Sequence, residues 1–236
     1  TKLIDDVINI SAKDDFSRNK VKERINATLR SDAAAREALI ANCEKNGIPT
    51  EKLVFCDHHL SHALVAFYPS PFDDAVVLVV DGRGDFRSVS LWKADRENGI
   101  RNIDTVTELT SLGAMYGFVT KMLGFIPDRH EGKLTGLAAY GKPSVISELL
   151  SESIFFNPET GCIEAKYGDY YLPFMEADLP HFSDYLAKYP KEDFAYAAQV
   201  VLENVLRDYL QFFLQKEFPG QSVNLCLSGG CCENVK

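Results

Sequence analysis

The sequence predicts an α/β protein built on an open sheet, because strand-like runs alternate with helix-like segments and two of the runs end in glycine turns. Residues 75–80 form an apolar, mostly β-branched run that is typical of a buried strand, and residues 81–85 after it hold two glycines. Residues 223–227 form a second run, which leads into the Gly-Gly pair at 229–230. Ligands of open α/β sheets bind at the carboxyl ends of strands, so we expect ligand contacts at these two turns.

Helices are predicted between and after these strands. Residues 59–67 contain neither Gly nor Pro and are stopped by Pro69, so a short helix is expected there. Another helix is predicted over residues 111–123. Residues 192–216 carry an apolar stripe typical of a core helix, made of Phe194, Ala198, Val201, Val205, Tyr209 and Phe212.

The amino-terminal part is predicted to hold two helices and a short strand. One helix is expected around residues 20–29, and a second is capped by Ser31 or Asp32, runs to about Glu44 and ends at Gly47. Residues 53–56 are expected to form a short buried strand that leads into the helix at 59–67.

Two hairpins are expected further along the chain. Residues 88–92 alternate in polarity and are predicted to pair with the 75–80 strand across the glycine turn, with Trp92 as a packing residue. Residues 151–156 and 162–165 flank a turn signal. An aromatic group that follows either packs a loop, which we favour, or lines a substrate surface; it comprises Tyr167, Tyr170, Tyr171 and Phe174.

Three of the five histidines fall within residues 58–62, at the start of the short helix. Residues four apart share a helix face, so His58 and His62 point the same way while His59 is turned about 100° aside. Asp81 ends the following strand. Two imidazoles and one carboxylate are a typical partial ligand set for a divalent metal. Taken alone, the same histidine spacing also suits a partly exposed polar helix face, and no Glu stands between the histidines as in zinc proteases.

Composition limits the classes of function. Hydrophobic residues make up 46% of the chain and charged residues 25%, as in ordinary globular proteins. The net charge of −9 argues against unspecific nucleic-acid or membrane contact. No apolar run approaches the roughly 20 residues of a membrane span. The six cysteines lack CxxC spacing and there is no signal peptide, so reduced thiols in a cytoplasmic protein are expected. Because the chain starts at Thr1 and stops after a Gly-Gly loop, we expect a piece of a longer protein.

Four motifs in the right order resemble the carbamoyltransferases of the nodulation-protein and antibiotic-tailoring type. The first is the HHLSHA run at 58–63 with the strand that ends in DGRGD at 81–85. Residues 111–125 look like the family's SLGxxYxxxTxxLGF helix, and residues 131–141 are similar to its EGKxMGLAAYG segment. Residues 227–234 resemble its LxGGxxxN loop. Together these motifs extend over residues 52–236.

The resemblance implies an actin/sugar-kinase-like (RNase H-like) fold of mixed sheets with flanking helices. It also implies a divalent metal, iron or alternatively zinc, held by the residues that match His58, His62 and Asp81. A carbamoyl-adenylate made from ATP and carbamoyl phosphate would lie beside it, and the carbamoyl group would pass to a hydroxyl of a small-molecule or sugar acceptor. A homodimer is compatible with this reading, and neither nucleic acid nor membrane is an expected partner.

The glycine turns and their neighbours are the predicted nucleotide-binding residues: Gly82, Gly84, Asp85, Gly136, Ser228, Gly229, Gly230 and Asn234. Two residues are predicted to be catalytic. His59 is either an acid–base group or a packing residue, and Lys133 is either a phosphate or carboxylate partner or simply exposed. The glycines at 132, 136 and 141 serve either close ligand approach or tight helix packing.

The chain departs from the family pattern in several places. It lacks the family's opening β-hairpin, and Glu233 replaces an apolar residue before Asn234. The fourth metal ligand, an Asp, and the YrdC-like carboxyl-terminal domain that makes the adenylate would lie beyond Lys236. The isolated chain is therefore expected to be inactive. Other readings are a tRNA threonylcarbamoyl transferase, a kinase of the same fold, and a non-catalytic metal-binding module.

Overall fold

The computed structural model describes residues 15–165 and 180–234, and the chain divides into two compact units, Thr1–Asp57 and His58–Lys236. The aromatic group predicted at 167–174 lies outside the described residues. Within the described part, no helix combines the length and the apolar character that crossing a membrane requires.

The first unit is dominated by one long helix, α1 (Asp15–Lys45). The prediction of two helices separated by a cap at Ser31 or Asp32 was wrong, because these residues lie in the exposed interior of α1 and strong helix formers flank them on both sides. The predicted end is confirmed. Gly47 adopts a φ of 67°, and the Ile48 amide donates to the Cys43 carbonyl at 2.9 Å.

The predicted strand at residues 53–56 is absent from the described structure. A 3₁₀ turn, Thr50–Lys52, is followed by a stretch without regular structure up to Asp57. Val54 is 82% exposed and Phe55 46% exposed. A short apolar run becomes a strand only where another strand offers hydrogen-bonding partners, and no described strand lies beside this one.

The second unit is built on a four-stranded mixed sheet in the order β3-β2-β1-β6. Its strands are β1 (Asp74–Gly84), β2 (Arg87–Asp95), β3 (Gly99–Thr107) and β6 (Leu225–Ser228). The β1–β2 and β2–β3 pairs are antiparallel, whereas β1 and β6 run parallel, and Ser228 at the end of β6 pairs with Val79. The α/β class, the pairing of 88–92 with 75–80 and the final strand are therefore confirmed.

The β1–β2 turn differs from the prediction. We expected the turn at the glycines of 81–85, but β1 continues to Gly84, and the two turn residues are Asp85 and Phe86, with φ of 50° and 63°. Positive φ at both positions is the geometry of a tight two-residue hairpin. The β1–β2 register is interrupted between Val80 and Gly84, so Asp81 lies in an irregular part of the strand.

The second unit also contains helices. They are α2 (His58–Phe67), α3 (Leu112–Met122), α4 (Glu131–Ala138), α5 (Val145–Ser153), α6 (Pro180–Leu186) and α7 (Lys191–Glu217). The helix of α2 packs Ala63 and Phe67 against Val77, Val79 and Cys226 on one face of the sheet. Side chains alternate along a strand, so Val76, Leu78 and Val80 lie on the opposite face, where they are also buried. This two-sided burial explains the continuous apolar run.

Most other predicted elements are confirmed. The helix of α7 buries the predicted stripe apart from the half-buried Phe212 and contacts α3, α4 and α5. The hairpin of β4 (Ile154–Asn157) and β5 (Cys162–Ala165) forms as expected. Trp92 is buried. At Gly141 the packing alternative holds, since an added Cβ would meet the Glu192 carbonyl at the start of α7.

Candidate functional site

The first turn of α2 brings two imidazoles together. The Nε2 atoms of His58 and His62 lie 3.2 Å apart, as the i, i+4 spacing predicts. The side chains are 42% and 32% exposed respectively, so both remain accessible to a ligand. The His58 ring also covers Gly84, where an added Cβ would collide with the ring itself. Gly84 is thus needed because the imidazole lies against its Cα.

Asp81 completes a group of three potential metal ligands. Its Oδ2 atom lies 2.8 Å from His58 Nε2 and 3.6 Å from His62 Nε2, and Oδ1 accepts from the Gly82 amide. One donor atom from each of the three residues lies within 4.8 Å of the others. Partial burial raises the pKa of Asp81, but hydrogen bonds from His58 and the Gly82 amide outweigh it, so this pKa lies below its ordinary value. The carboxylate is therefore ionised at neutral pH.

His59 points into the core, as its offset on the helix predicts. It is fully buried, and its Nδ1 lies 2.8 Å from Ser90 Oγ, which also accepts from Trp92 Nε1 at 2.7 Å. Burial and the neighbouring His58 lower the pKa of His59 to about 4. Because no part of this neutral ring reaches solvent, the geometry favours the packing alternative over an acid–base role.

The turn that follows the parallel strand β6 lies beside the same three residues. Ser228 Oγ lies 3.4 Å from His62 Nδ1. Gly229 has a φ of 92°, and an added Cβ there would collide with the Val80 carbonyl of β1. Both constraints select glycine, which brings the next residue, Gly230, close to Asp81. The two predicted ligand turns therefore meet at one edge of the sheet.

A cavity of about 770 Å³ opens from Asp81. Five predicted residues line it: Asp81, Gly82, Gly136, Gly230 and Asn234. The amino end of α3 forms another part of the wall, where Ser111 Oγ donates to the Gly82 carbonyl at 2.6 Å and Gly113 lies against Gly82. The predicted glycines at 132 and 136 face open space. Pockets of this size commonly hold drug-sized molecules.

Sequence reasoning assigned Asn234 to the site but missed the polar residues that hold it in the cavity wall. Tyr116, whose hydroxyl lies 2.9 Å from Thr135 Oγ1, donates to Gln199 Oε1 at 3.0 Å, and Asn234 Nδ2 donates to the same oxygen at 2.8 Å. Gln199 Nε2 in turn donates to Glu203. The sequence signal that could have indicated this network is Gln199, which lies between apolar residues of α7, because a buried amide needs hydrogen-bonding partners.

Two thiols lie beside the cavity without the properties of a nucleophile. Burial, with Asp81 and Cys232 nearby, raises the pKa of Cys231 to about 12. Burial also raises the pKa of Cys232. Reactivity requires the thiolate, so both groups are protonated and unreactive at neutral pH.

The remaining predicted residues lie apart from the described cavity lining. Lys133 is exposed on α4, with its Nζ 5.7 Å from the centre of the Phe125 ring. Asp85 accepts a hydrogen bond from the backbone amide of His58 at 2.7 Å. Ser228 and Gly84 lie beside the imidazoles of His62 and His58, and Gly229 lies against the Val80 backbone. The predicted metal ligands thus come together, whereas the predicted nucleotide residues divide between the cavity and the histidine helix.

The fold and site define the class of protein: an α/β protein in which two histidines of a helix and an aspartate of a neighbouring strand form a group beside a cavity. The family model for the carbamoyltransferase N-terminus matches residues 11–236. This chain therefore belongs to the carbamoyltransferase N-terminus family, which confirms the resemblance inferred from the four motifs.

Individual relatives agree with this membership. An uncharacterised protein of Synechocystis sp. is 32% identical over 213 residues, which cover 84% of this chain and 33% of that protein. The nodulation protein NolNO of Sinorhizobium fredii is 35% identical over 105 residues, or 44% of this chain and 15% of that protein. Nodulation protein NolO of Bradyrhizobium diazoefficiens is 35% identical over 96 residues, or 41% and 17%. The chain spans about a third of the length of the curated relative from Synechocystis.

Proposed function

We propose that this chain forms the metal- and nucleotide-binding part of an enzyme that transfers a carbamoyl group from carbamoyl-adenylate to a hydroxyl of a small-molecule or sugar acceptor. The adenylate would be made from ATP and carbamoyl phosphate, and the domain would have the actin-like architecture. The observation that carries the proposal is the meeting of His58, His62 and Asp81 at the edge of a large cavity, in a chain of this family.

The three donor atoms suit one divalent cation. Metal–nitrogen and metal–oxygen bonds are about 2.0–2.1 Å long, so ligand atoms that share a cation lie roughly 3.0–3.4 Å apart. The distances among His58, His62 and Asp81 are 2.8, 3.2 and 3.6 Å, which small side-chain rotations would equalise. Two imidazoles and a carboxylate suit Fe(II) or Zn(II).

The chain's own residues hold this donor set in place. The ionised Asp81 is fixed by the Gly82 amide through Oδ1, which leaves Oδ2 toward the imidazoles. The buried contact between His59 and Ser90 anchors the first turn of α2 to β2. Ser228 Oγ approaches the far nitrogen of His62, where a hydrogen bond would fix the ring orientation.

The cavity supports the nucleotide part of the proposal. Its volume of about 770 Å³ is sufficient for a nucleoside and its linked acyl phosphate. Gly230, which follows β6, brings its backbone to the part of the cavity nearest Asp81, the position expected for the phosphoryl group. Asn234, held by Gln199, lies further along the wall and offers an amide to the ligand.

The proposed reaction explains why such a site is useful. A carbamoyl group is a weak electrophile because its nitrogen donates electrons into the carbonyl, and adenylation supplies a better leaving group. When bound, a divalent cation supplies Lewis-acid polarisation. The chain's part is to bind the adenylate with its acyl end toward His58 and His62.

The test is pyrophosphate release from ATP by the complete protein, with and without carbamoyl phosphate. We expect release only when carbamoyl phosphate is present. We expect His62→Ala to keep this release while losing carbamoyl transfer, and His130→Ala, which changes a histidine outside the group, to retain both. ATP consumption that does not depend on carbamoyl phosphate would indicate a kinase or ATPase. A requirement for threonine and bicarbonate would indicate threonylcarbamoyl transfer. The absence of ATP consumption would indicate a binding module. Each of these results would contradict the proposal.

A further inference from the structure

The hairpin that joins β1 and β2 has an unusual tip. Its two turn residues, Asp85 and Phe86, are not glycines, yet both have positive φ. Such backbone is uncommon for residues with side chains and is retained where the surrounding contacts determine it. One such contact is visible: Asp85 Oδ2 accepts a hydrogen bond from the backbone amide of His58 at 2.7 Å.

This hydrogen bond caps the histidine helix from 27 residues away in sequence. His58 is the first residue of α2, and the first amides of a helix have no partner within the helix. A carboxylate oxygen satisfies such an amide as a local cap does and also favours the positive end of the helix dipole. The hairpin tip therefore supplies the cap that α2 needs.

The same tip also contacts the His58 side chain. Gly84, next to Asp85, lies directly beneath the imidazole ring. His58 is therefore held at its backbone by Asp85 and at its ring by Gly84, while its Nε2 lies within 3.2 Å of His62 Nε2 and 2.8 Å of Asp81. Loss of the cap would free the first residue of the helix, and this residue carries one of the three donor atoms.

We propose that Asp85 is a positioning residue, which caps α2 and so keeps His58 aligned with His62 and Asp81 without touching the ligand itself. This replaces its predicted role in nucleotide binding. The cap does not depend on the proposed function, and only its consequence for a metal rests on that function.

The test compares Asp85→Ala, Asp85→Asn and Asp95→Ala in the 236-residue chain. Asn keeps an acceptor oxygen and ranks with Asp as a helix cap. Asp95 is the matched control, because it accepts from the Glu97 and Asn98 amides at the neighbouring hairpin turn. Hydrogen exchange of the His58 amide is measured by NMR without metal. We expect exchange about tenfold faster or more in Asp85→Ala, and unchanged exchange in the other two variants.

Cobalt(II) titration, followed by visible absorption, supplies the second measurement. We expect Asp85→Ala to weaken Co²⁺ binding about 10- to 100-fold, as for other groups that orient a metal ligand. Asp85→Asn should stay within about threefold of the unchanged chain, since it restores the cap. Asp95→Ala should bind Co²⁺ normally.

Several results would overturn the proposal. Normal protection of the His58 amide in Asp85→Ala would show that Asp85 does not hold the helix. Loss of Co²⁺ binding in Asp85→Asn, with the amide still protected, would mean that the carboxylate acts as a ligand or as a charge. If the unchanged chain binds no Co²⁺, the proposed metal site fails, and exchange at His58 alone then decides whether Asp85 positions that residue.

Discussion

In each of two regions of the sheet, an aspartate contacts a side chain from another element, but the pKa of the aspartate shifts in opposite directions in the two regions. At the ends of β1 and β6, Asp81 faces two imidazoles, and hydrogen bonds outweigh burial and lower its pKa. On β3, burial raises the pKa of Asp104, opposed by hydrogen bonds from the Tyr209 hydroxyl, 2.8 Å away, and the Thr105 amide. Tyr209 is fully buried.

The difference separates a candidate site for a ligand from a structural contact. Asp81 is partly exposed and lies beside groups that bear lone pairs, so its charge is available to a cation. Asp104 is matched to a single phenol whose own pKa is raised well above 10, mainly by burial and by Asp104. Of these two aspartates, Asp81 is the functional candidate, because its partners can themselves be ligands.

The largest effect is expected at the histidine group. His62→Ala removes one of three converging donors, so Co²⁺ affinity should fall by at least about 100-fold. The side chain is 32% exposed, so the free energy of unfolding should change by less than about 1 kcal/mol. Calorimetric Co²⁺ titration and urea unfolding measure the two quantities. If the variant binds Co²⁺ as tightly as the unchanged chain, the histidine group is not a metal site.

The next effect is expected in the other region. Tyr209→Phe removes the hydroxyl that serves Asp104 and leaves a half-buried carboxylate without this donor, so the free energy of unfolding should fall by about 1–3 kcal/mol. Co²⁺ affinity should not change. The measurement is the same pair of urea and Co²⁺ titrations. A variant as stable as the unchanged chain, or one with weakened Co²⁺ binding, would contradict the division into a structural and a ligand-binding region.

How far the sequence could predict these two regions depends on how local their signals are. His58, His62 and Asp81 belong to one helix–strand unit, so periodicity and one strand end were enough to bring them together. The pair of Asp104 and Tyr209 joins residues 105 apart in sequence, and the sequence contains no pattern that couples them. The apolar stripe correctly placed Tyr209 in the core, but it could not identify the partner of its hydroxyl.

The incorrect predictions have a related cause. Ser31 and Asp32 are good caps in isolation, but their helix-forming neighbours kept α1 continuous. The glycines at 82 and 84 suggested a turn at 81–85. The turn instead lies at Asp85 and Phe86, where His58 contacts Gly84 and Asp85. The cap signal was thus outweighed by neighbouring residues, whereas the shifted turn accompanies a contact distant in sequence.

A smaller effect distinguishes the regions by pH. The folded-state pKa of Asp104 lies above its unfolded value of about 3.8, so the folded chain takes up this proton first as pH falls. Its contribution to stability is therefore fully present below about pH 3.8 and is lost as pH rises through the folded-state pKa. Relative to Asp104→Asn, the unchanged chain should gain stability between pH 7 and pH 4, by at most about 1.4 kcal/mol per unit of pKa difference. Urea unfolding at both pH values checks the sign, and a relative loss toward pH 4 would show that folding does not raise the pKa of Asp104.

The smallest effect is expected at Lys133, which was predicted to be catalytic but lies on the exposed side of α4. Its ammonium is 5.7 Å from the centre of the Phe125 ring, an exposed contact worth about 0.5–1 kcal/mol at most. Lys133→Ala should therefore leave Co²⁺ affinity unchanged and, in the complete protein, reduce carbamoyl transfer by less than about threefold. Thr135→Val, two residues away in a cavity-lining position, is the matched comparison, and it should weaken nucleotide binding because it disturbs the hydroxyl contact with Tyr116. The opposite result would be a large loss of carbamoyl transfer in Lys133→Ala together with normal nucleotide binding in Thr135→Val. It would mean that the face of α4 with Lys133, and not the face with Thr135, contacts the ligand, so that this helix would have to turn its lysine toward the ligand in the active enzyme.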